Sequence, residues 1–205
     1  NFGIKPLYYY YDSKYFAFSS QIKSIVEFDF ISKKESFNAK IGYLLLGSVP
    51  EPFTPFEGVY CLMPGSDLFV NTIEKVRIIN NFNLGKYAGN SRIKSDTISE
   101  NIFDSLKNSV EKHFISDVKV GIFLSSGIDS AYLSNMSNYL GYKDVNTFTI
   151  SFDELDEKNY DESSTAINIS VKNQQHNEHE KINYDSFLEN YDSIITAMDT
   201  PSIDG

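Results

Sequence analysis

Residues 118–130 read VKVGIFLSSGIDS, an apolar run that leads into a loop of small, polar residues. The apolar part, Val118 to Leu124, has the length of a buried strand. From Asp129 to Tyr142 apolar residues return at helical spacing, and Gly141 is placed to end a helix. The stretch therefore predicts a strand, a tight loop and a helix in direct succession.

The sequence on both sides continues this alternation of helices and strands. Thr97-x-x-Glu100 and Ser186-x-x-Glu189 have the pattern of capping boxes at helix starts. Strands that alternate with helices imply βαβ units and a parallel sheet. The predicted elements are a helix from Thr97 to Phe114, a strand from Val145 to Phe152, a helix from Glu162 to Val171, a strand from His179 to Tyr184, and a last helix. Apolar residues alternate along the first of these strands at Phe148, Ile150 and Phe152. The last helix has an apolar stripe from Phe187 to Met198, which we interpret as core.

The N-terminal part of the chain has a β-rich pattern instead. Two aromatic runs, Leu7–Tyr11 and Tyr15–Phe18, flank Asp12-Ser13-Lys14, which predicts a hairpin. A short helix over residues 38–46, ended at Gly47, and a strand from Asp67 to Asn71 are also predicted. We therefore expect an α/β chain with an antiparallel β domain over residues 1–84, a linker over residues 85–96, and a parallel-sheet domain over residues 97–205.

Composition excludes several classes of protein. The net charge is -10 and no basic stretch exceeds Lys33-Lys34, so nucleic acid is not an expected partner. A single cysteine, Cys61, excludes an internal disulfide and a zinc site of several thiolates. No apolar run approaches the ~20 residues that span a bilayer, so we expect no membrane partner and a cytoplasmic location. The chain runs from Asn1, not Met, to Gly205, and we interpret both ends as truncations.

The loop after the predicted strand has the residues of an anion site. Backbone N–H groups at a helix N-terminus bind phosphate, and small residues at Ser125, Ser126 and Gly127 permit its close approach. Ser130 adds a hydroxyl, and Asp129 adds a carboxylate of the kind that Mg²⁺ prefers. The loop is not a Walker A motif, because no lysine follows the glycine. A small polar turn without function is the alternative, and the position between strand and helix favours the anion site.

The stretch Ser125–Ser130 resembles the S-G-G-x-D-S pyrophosphate loop of N-type ATP pyrophosphatases, which include asparagine, β-lactam and GMP synthetases and tRNA-modifying ligases. Ser126 stands where that pattern usually has glycine. Collinear motifs across nearly the whole chain resemble the glutamine-dependent asparagine synthetase family specifically. These motifs are Phe2–Tyr9, Gly47–Pro50, Phe56–Val59, Pro64-Gly65, Ser116–Gly121, Thr147–Phe152, Tyr160–Glu162 and Glu178–Glu180.

The resemblance implies a fold, an activity and a set of site residues. It implies part of a glutaminase domain of the N-terminal-nucleophile type, then part of a doubly wound, adenine-nucleotide α-hydrolase-like domain. The family makes asparagine from aspartate and glutamine-derived ammonia through an aspartyl-adenylate, with ATP and Mg²⁺, and releases AMP and pyrophosphate; a homodimer is compatible with it. The implied nucleotide-binding residues are Leu124 and Ile150 beside adenine and ribose, and Ser125, Ser126, Gly127, Asp129 and Ser130 at the pyrophosphate, with Asp129 also the catalytic residue and metal ligand.

Other residues receive structural interpretations. The family's glutaminase nucleophile is a cysteine at the start of the mature chain, and Asn1 is not that residue, so we expect this chain by itself to be inactive and not to hydrolyse glutamine. Cys61 is expected in the core, and His113, His176 and His179 are expected to be surface or structural. The acidic stretch 153–162 is expected to be a solvated loop, with a minor role near Mg²⁺ or substrate left open.

Two other functions remain as alternatives. One is a related adenylating amidotransferase with another carboxylate substrate, of the β-lactam-synthetase or surface-polysaccharide type. The other is a non-catalytic nucleotide-binding relative, against which the presence of Asp129 and Ser130 argues.

Overall fold

A computed structural model describes residues 2–71, 75–82, 84–86, 97–153 and 162–203. The chain divides into two compact units. The first comprises Asn1–Ser91 together with Asp192–Gly205, and the second comprises Arg92–Tyr191. Most of the predicted linker, residues 87–96, lies outside the described residues, so the predicted domain boundaries stay a prediction.

Antiparallel strands form the first unit, as the aromatic runs predicted. One sheet has the order β2-β1-β3, and a separate hairpin pairs β4 with β5. In the turn between β1 and β2, Asp12 Oδ1 accepts hydrogen bonds from the N–H groups of Lys14 and Tyr15, both at 2.7 Å. The elements are β1 Tyr8–Tyr11, β2 Phe16–Ser19, α1 Ile22–Val26, α2 Phe37–Leu46, β3 Val59–Cys61, β4 Ser66–Asn71, β5 Lys75–Asn80 and a 3-10 turn at Leu84–Lys86.

The core of the first unit forms where β1 and β3 meet α1. Its buried side chains are Tyr8, Ile22, Ile25, Val26, Ile31, Val59 and Cys61. The Cys61 thiol lies 3.7 Å from a carboxylate oxygen of Glu51. Burial first, and then the nearby Glu51 charge, raise the pKa of Cys61 to about 12. Cys61 is thus a core residue, as predicted, and its thiol stays protonated at neutral pH.

Parallel strands and connecting helices form the second unit, and this confirms the predicted βαβ pattern. The sheet has the order β6-β7-β8, with both neighbouring pairs parallel. A doubly wound sheet would need a further strand on the other side of β6 and stays a prediction. The elements are α3 Ile98–His113, β6 Gly121–Phe123, α4 Ile128–Tyr139, β7 Asn146–Phe152, α5 Ser163–Lys172, β8 His176–Ile182 and α6 Tyr184–Ala197, whose last residues belong to the first unit.

Two details of the helix starts differ from the prediction. Helix α6 begins before Ser186, whose N–H donates to Asn183 Oδ1 at 2.8 Å, so Asn183 and not Ser186 caps this helix. Thr97 is the N-cap of α3, but its side chain makes no capping hydrogen bond. The capping-box patterns therefore located both helices and gave the N-cap residue of α3, but they did not give its hydrogen bonding or the N-cap residue of α6.

The buried face of the central strand β7 is polar. Thr147, Thr149 and Ser151 are 0%, 3% and 3% exposed, whereas Ile150 on the other face is 53% exposed. The predicted alternation at Phe148, Ile150 and Phe152 exists, but it marks the more exposed face. Helix α5 packs on β7 and β8 and meets the polar face, since Thr147 Oγ1 donates to Ser170 Oγ at 3.1 Å.

A buried polar network fills the space between the sheet and helices α4 and α5. Gln175 lies near its centre: its Oε1 accepts from Ser134 Oγ at 2.6 Å, and its Nε2 donates to Ser137 Oγ at 2.8 Å. Asn177 Nδ2 donates to the hydroxyls of Thr147 and Thr149 at 2.8 and 3.0 Å. Asn177 Oδ1 is buried without a hydrogen-bond partner among the described residues. The other contacts pair the buried polar groups of the network and so specify how the helices sit on the sheet.

The apolar stripe of α6 is exposed, so our interpretation of it as core is wrong. Helix α6 has no buried residue, and Phe187, Leu188 and Ile195 are among its exposed apolar side chains. Helical periodicity defines which face is apolar, not whether another element covers it. No helix within the described part of the chain is long and apolar enough to cross a membrane.

Gln175 provides a test of the polar network. We expect Gln175→Leu to lower the free energy of unfolding by about 2 kcal/mol, because the buried hydroxyls of Ser134 and Ser137 each lose one of their two hydrogen bonds. Urea unfolding followed by circular dichroism measures the change. The control is Gln21→Leu, the same substitution at an exposed glutamine with extended backbone and no side-chain capping hydrogen bond, with an expected change within ~0.5 kcal/mol. Equal effects of the two variants would contradict the proposed importance of the network.

Cys61 provides a test of the first unit's core. The thiolate is the reactive form of cysteine. Compared with a thiol of ordinary pKa 9.0, the raised pKa of about 12 lowers the thiolate fraction of Cys61 at pH 8 by a factor on the order of 1,000. We expect the folded chain to react with an aromatic disulfide reagent at least ~100-fold more slowly than the urea-unfolded chain. A Cys61→Ser variant gives the background rate. Equal rates in the folded and unfolded chains would show that the thiol is accessible.

Candidate functional site

The loop Leu124–Gly127 joins the carboxyl end of β6 to the start of α4. Helix α4 begins at Ile128, with Gly127 as its N-cap in extended conformation. The carboxyl ends of parallel strands are where α/β proteins bind ligands. The strand, loop and helix predicted from residues 118–142 are therefore present, and they place the predicted anion loop at that edge of the sheet.

Leu124 fixes the loop to the sheet. Its N–H donates to the Phe148 carbonyl at 2.8 Å, and its carbonyl accepts from Thr149 Oγ1 at 2.9 Å. The side chain is 3% exposed. Leu124 therefore holds the base of the loop in place, while Ile150, the other residue predicted beside the adenine, exposes apolar surface from the neighbouring strand.

The hydroxyls of Ser125 and Ser130 close the loop on itself. They lie 2.9 Å apart, and Ser130 Oγ also accepts from the Ser125 N–H at 3.1 Å. Gly127 N–H donates to Ser125 Oγ at 3.2 Å, and a Cβ on Gly127 would come within 3.1 Å of that same oxygen. A side chain at 127 would therefore require the Ser125 hydroxyl to shift by a few tenths of an ångström. The hydroxyls of the loop also occupy N–H groups that a phosphate could use.

Ser126 makes a contact that the sequence did not predict. Its hydroxyl donates a hydrogen bond to a carboxylate oxygen of Glu162, the N-cap residue of α5. The sequence places Glu162 at the start of a predicted helix, in the Y-D-E motif and in the acidic stretch 153–162, for which a minor role near Mg²⁺ or substrate is left open, and none of these patterns pairs it with Ser126. The first two residues of the motif lie outside the described part of the chain. No local pattern could pair residues that are 36 positions apart.

Asp129 lies in the first turn of α4 and is exposed. A carboxylate at this end of a helix is stabilised by the N–H groups of the first turn. Gly127, not Asp129, occupies the N-cap position, so Asp129 is not the cap of this helix. Its carboxylate and the hydroxyls of Ser125 and Ser130 are hard oxygen donors, which fits Mg²⁺. Across the described ranges no three His, Cys, Asp or Glu side chains gather into a metal site, so phosphate or water oxygens would supply the remaining ligands.

Two of the histidines have structural partners. His179 Nε2 lies 2.8 Å from Ser151 Oγ, and His113 Nδ1 lies 2.8 Å from the Ser109 carbonyl. Of the acidic stretch, Asp153 forms a 2.8 Å ion pair with Lys181, and residues 154–161 lie outside the described part of the chain.

An apolar cavity of about 540 Å³ lies among α3, β6 and α4. Val110, Ile122 and Leu133 are among its lining residues, and none of the loop residues 124–130 lines it. The Tyr132 hydroxyl, on a lining residue, is buried without a hydrogen-bond partner among the described residues. The cavity is thus chemically distinct from the polar loop.

Comparison with known proteins identifies both parts of the chain. Residues 101–205 match the family model of asparagine synthase, and residues 1–81 match that of the glutamine amidotransferase domain. A putative glutamine-hydrolyzing asparagine synthetase 2 of Methanocaldococcus jannaschii is 32% identical over 78% of this chain and 31% of its own length. Glutamine-hydrolyzing asparagine synthetase 1 of Bacillus subtilis is 27% identical over 99% of this chain and 31% of its own length.

A third relative, a putative asparagine synthetase of Mycobacterium tuberculosis, is 27% identical over 99% of this chain. The chain spans about a third of the length of these curated relatives, 31% in each case. The glutamine amidotransferase match lies within the first compact unit, and the asparagine synthase match begins within the second. The asparagine synthase match includes all of residues 124–130. The chain belongs to the asparagine synthase family.

Proposed function

We propose that this chain is part of a ligase that forms asparagine from aspartate, ATP and ammonia derived from glutamine. The observation that carries the proposal is the loop of Ser125, Ser126 and Gly127 between a parallel strand and a helix N-terminus. The family match and the names of the relatives support this substrate set. They do not favour the β-lactam, polysaccharide or non-catalytic alternatives.

The proposed reaction has two steps. A carboxylate oxygen of aspartate attacks the α-phosphorus of ATP, the bond from that phosphorus to its bridging oxygen breaks, and pyrophosphate leaves with the bonding electrons. The nitrogen of ammonia then attacks the acyl carbon of the aspartyl-adenylate. AMP leaves from that carbon, and the nitrogen loses a proton to give asparagine.

The loop would act on the pyrophosphate that leaves in the first step. The N–H groups of Ser125 and Gly127, now bonded to hydroxyls of the loop, would donate to phosphate oxygens instead. Mg²⁺, when bound, neutralises charge on the pyrophosphate, and Asp129 is the residue that would hold it. Leu124, fixed by Thr149, keeps the loop at the strand end, and Ile150 offers an apolar surface to the adenine.

The domain assignment is part of the same proposal. Residues 1–84 would belong to a glutaminase domain of the N-terminal-nucleophile type, and residues 97–205 to a doubly wound, adenine-nucleotide α-hydrolase-like domain, with a linker over 85–96. The family matches over 1–81 and 101–205 support these two regions. A cytoplasmic enzyme that forms a homodimer is compatible with them.

Asp129 is the residue that tests the proposed site. In the full-length protein we expect Asp129→Asn to lower the rate of ATP–pyrophosphate exchange by about 100-fold or more, because the amide keeps the shape but not the charge that holds the metal. The melting temperature should stay unchanged, since Asp129 is exposed and does not cap α4.

The matched control is Asp185→Asn, the same change in the first turn of another helix, α6. We expect this variant to exchange pyrophosphate at the wild-type rate. A wild-type exchange rate in Asp129→Asn would remove Asp129 from the site.

A further inference from the structure

Ser126 and Glu162 connect the anion loop to a second helix. The Ser126 hydroxyl donates to a Glu162 carboxylate oxygen, and Glu162 is the N-cap residue of α5. Helix α5 packs against β7 and β8, so Glu162 stands on an element that is fixed to the sheet. Ser126 is therefore held by a residue that lies outside the loop.

The other hydroxyls of the loop behave differently. Ser125 and Ser130 bond to each other and to the loop backbone. Ser125 Oγ in particular accepts from the Gly127 N–H, which shows that a serine hydroxyl here can occupy a loop N–H group. A Ser126 hydroxyl without an acceptor would compete for the same groups, and these are the groups that a phosphate needs.

We propose that Glu162 is a positioning residue, which holds the Ser126 hydroxyl away from the N–H groups that bind the phosphates of ATP. This inference rests on the proposed function. It has a specific consequence: Glu162 matters for ATP affinity only while residue 126 carries a hydroxyl. A carboxylate that contacted ATP or its metal directly would be required whatever residue stands at 126.

Four variants of the full-length protein separate these roles: Ser126→Gly, Glu162→Ala, Glu162→Gln and the double variant Ser126→Gly/Glu162→Ala. The measurements are KM for ATP and kcat in ATP–pyrophosphate exchange, the Kd of MgATP by calorimetry, and the melting temperature. Asp185→Ala is the control for loss of a carboxylate at a helix N-terminus.

We expect Glu162→Ala to raise KM and Kd for ATP about threefold to tenfold, the effect of losing one hydrogen bond, with a smaller change in kcat. Glu162→Gln should keep wild-type affinity, because its amide oxygen still accepts from Ser126. The double variant should bind ATP with the same affinity as Ser126→Gly alone, because loss of Glu162 should add no further effect when residue 126 has no hydroxyl. Melting temperatures and the Asp185→Ala variant should not change.

Three outcomes overturn the assignment. If Glu162→Ala binds ATP like the wild type, the contact has no role. If Glu162→Gln is as weak as Glu162→Ala, or the double variant is weaker than Ser126→Gly, Glu162 acts through its charge and not through Ser126. A wild-type protein that neither binds ATP nor exchanges pyrophosphate overturns the proposed function itself, which is a different failure from those three.

Discussion

The hydrogen bond from Thr149 Oγ1 to the Leu124 carbonyl joins the polar interior of the second unit to the loop. On one side it continues through Asn177 and Thr147 to Ser170 on α5. On the other side it holds the residue from which the loop departs. Because buried polar groups are costly when unpaired, each member of this chain of contacts fixes the next. The geometry of the loop thus depends on the packing of α5, to which Thr149 is linked through Asn177 and Thr147.

Much of this architecture follows from local sequence patterns. The strand, loop and helix around residues 118–139 were predicted because apolar spacing changes from strand-like to helical within a few residues. The β1–β2 hairpin was predicted from aromatic runs around Asp12, and its turn is closed by that side chain. Elements of this kind are determined by residues close together in sequence, and a local sequence pattern contains that information.

Contacts between distant residues could not be predicted in the same way. A period of two defines the faces of β7 but not which face is buried, and here the buried face carries Thr147 and Thr149. The pairing of Ser126 with Glu162 joins elements that meet only after the sheet has formed. The stripe of α6 was misjudged for a related reason, since burial depends on what covers a face.

The closed hydroxyls of Ser125 and Ser130 have a consequence for which ligands the loop would select. Any oxyanion that enters must displace hydrogen bonds that already exist, so the number of hydrogen bonds at the loop changes little. The net gain then comes from replacing a neutral acceptor with a charged one, which roughly doubles the strength of each bond. A neutral molecule of the same shape would replace one neutral acceptor with another, so these hydrogen bonds would add no net binding free energy. Selectivity for phosphate over neutral groups would therefore arise because the N–H groups of the loop already have hydrogen-bond partners when no ligand is bound.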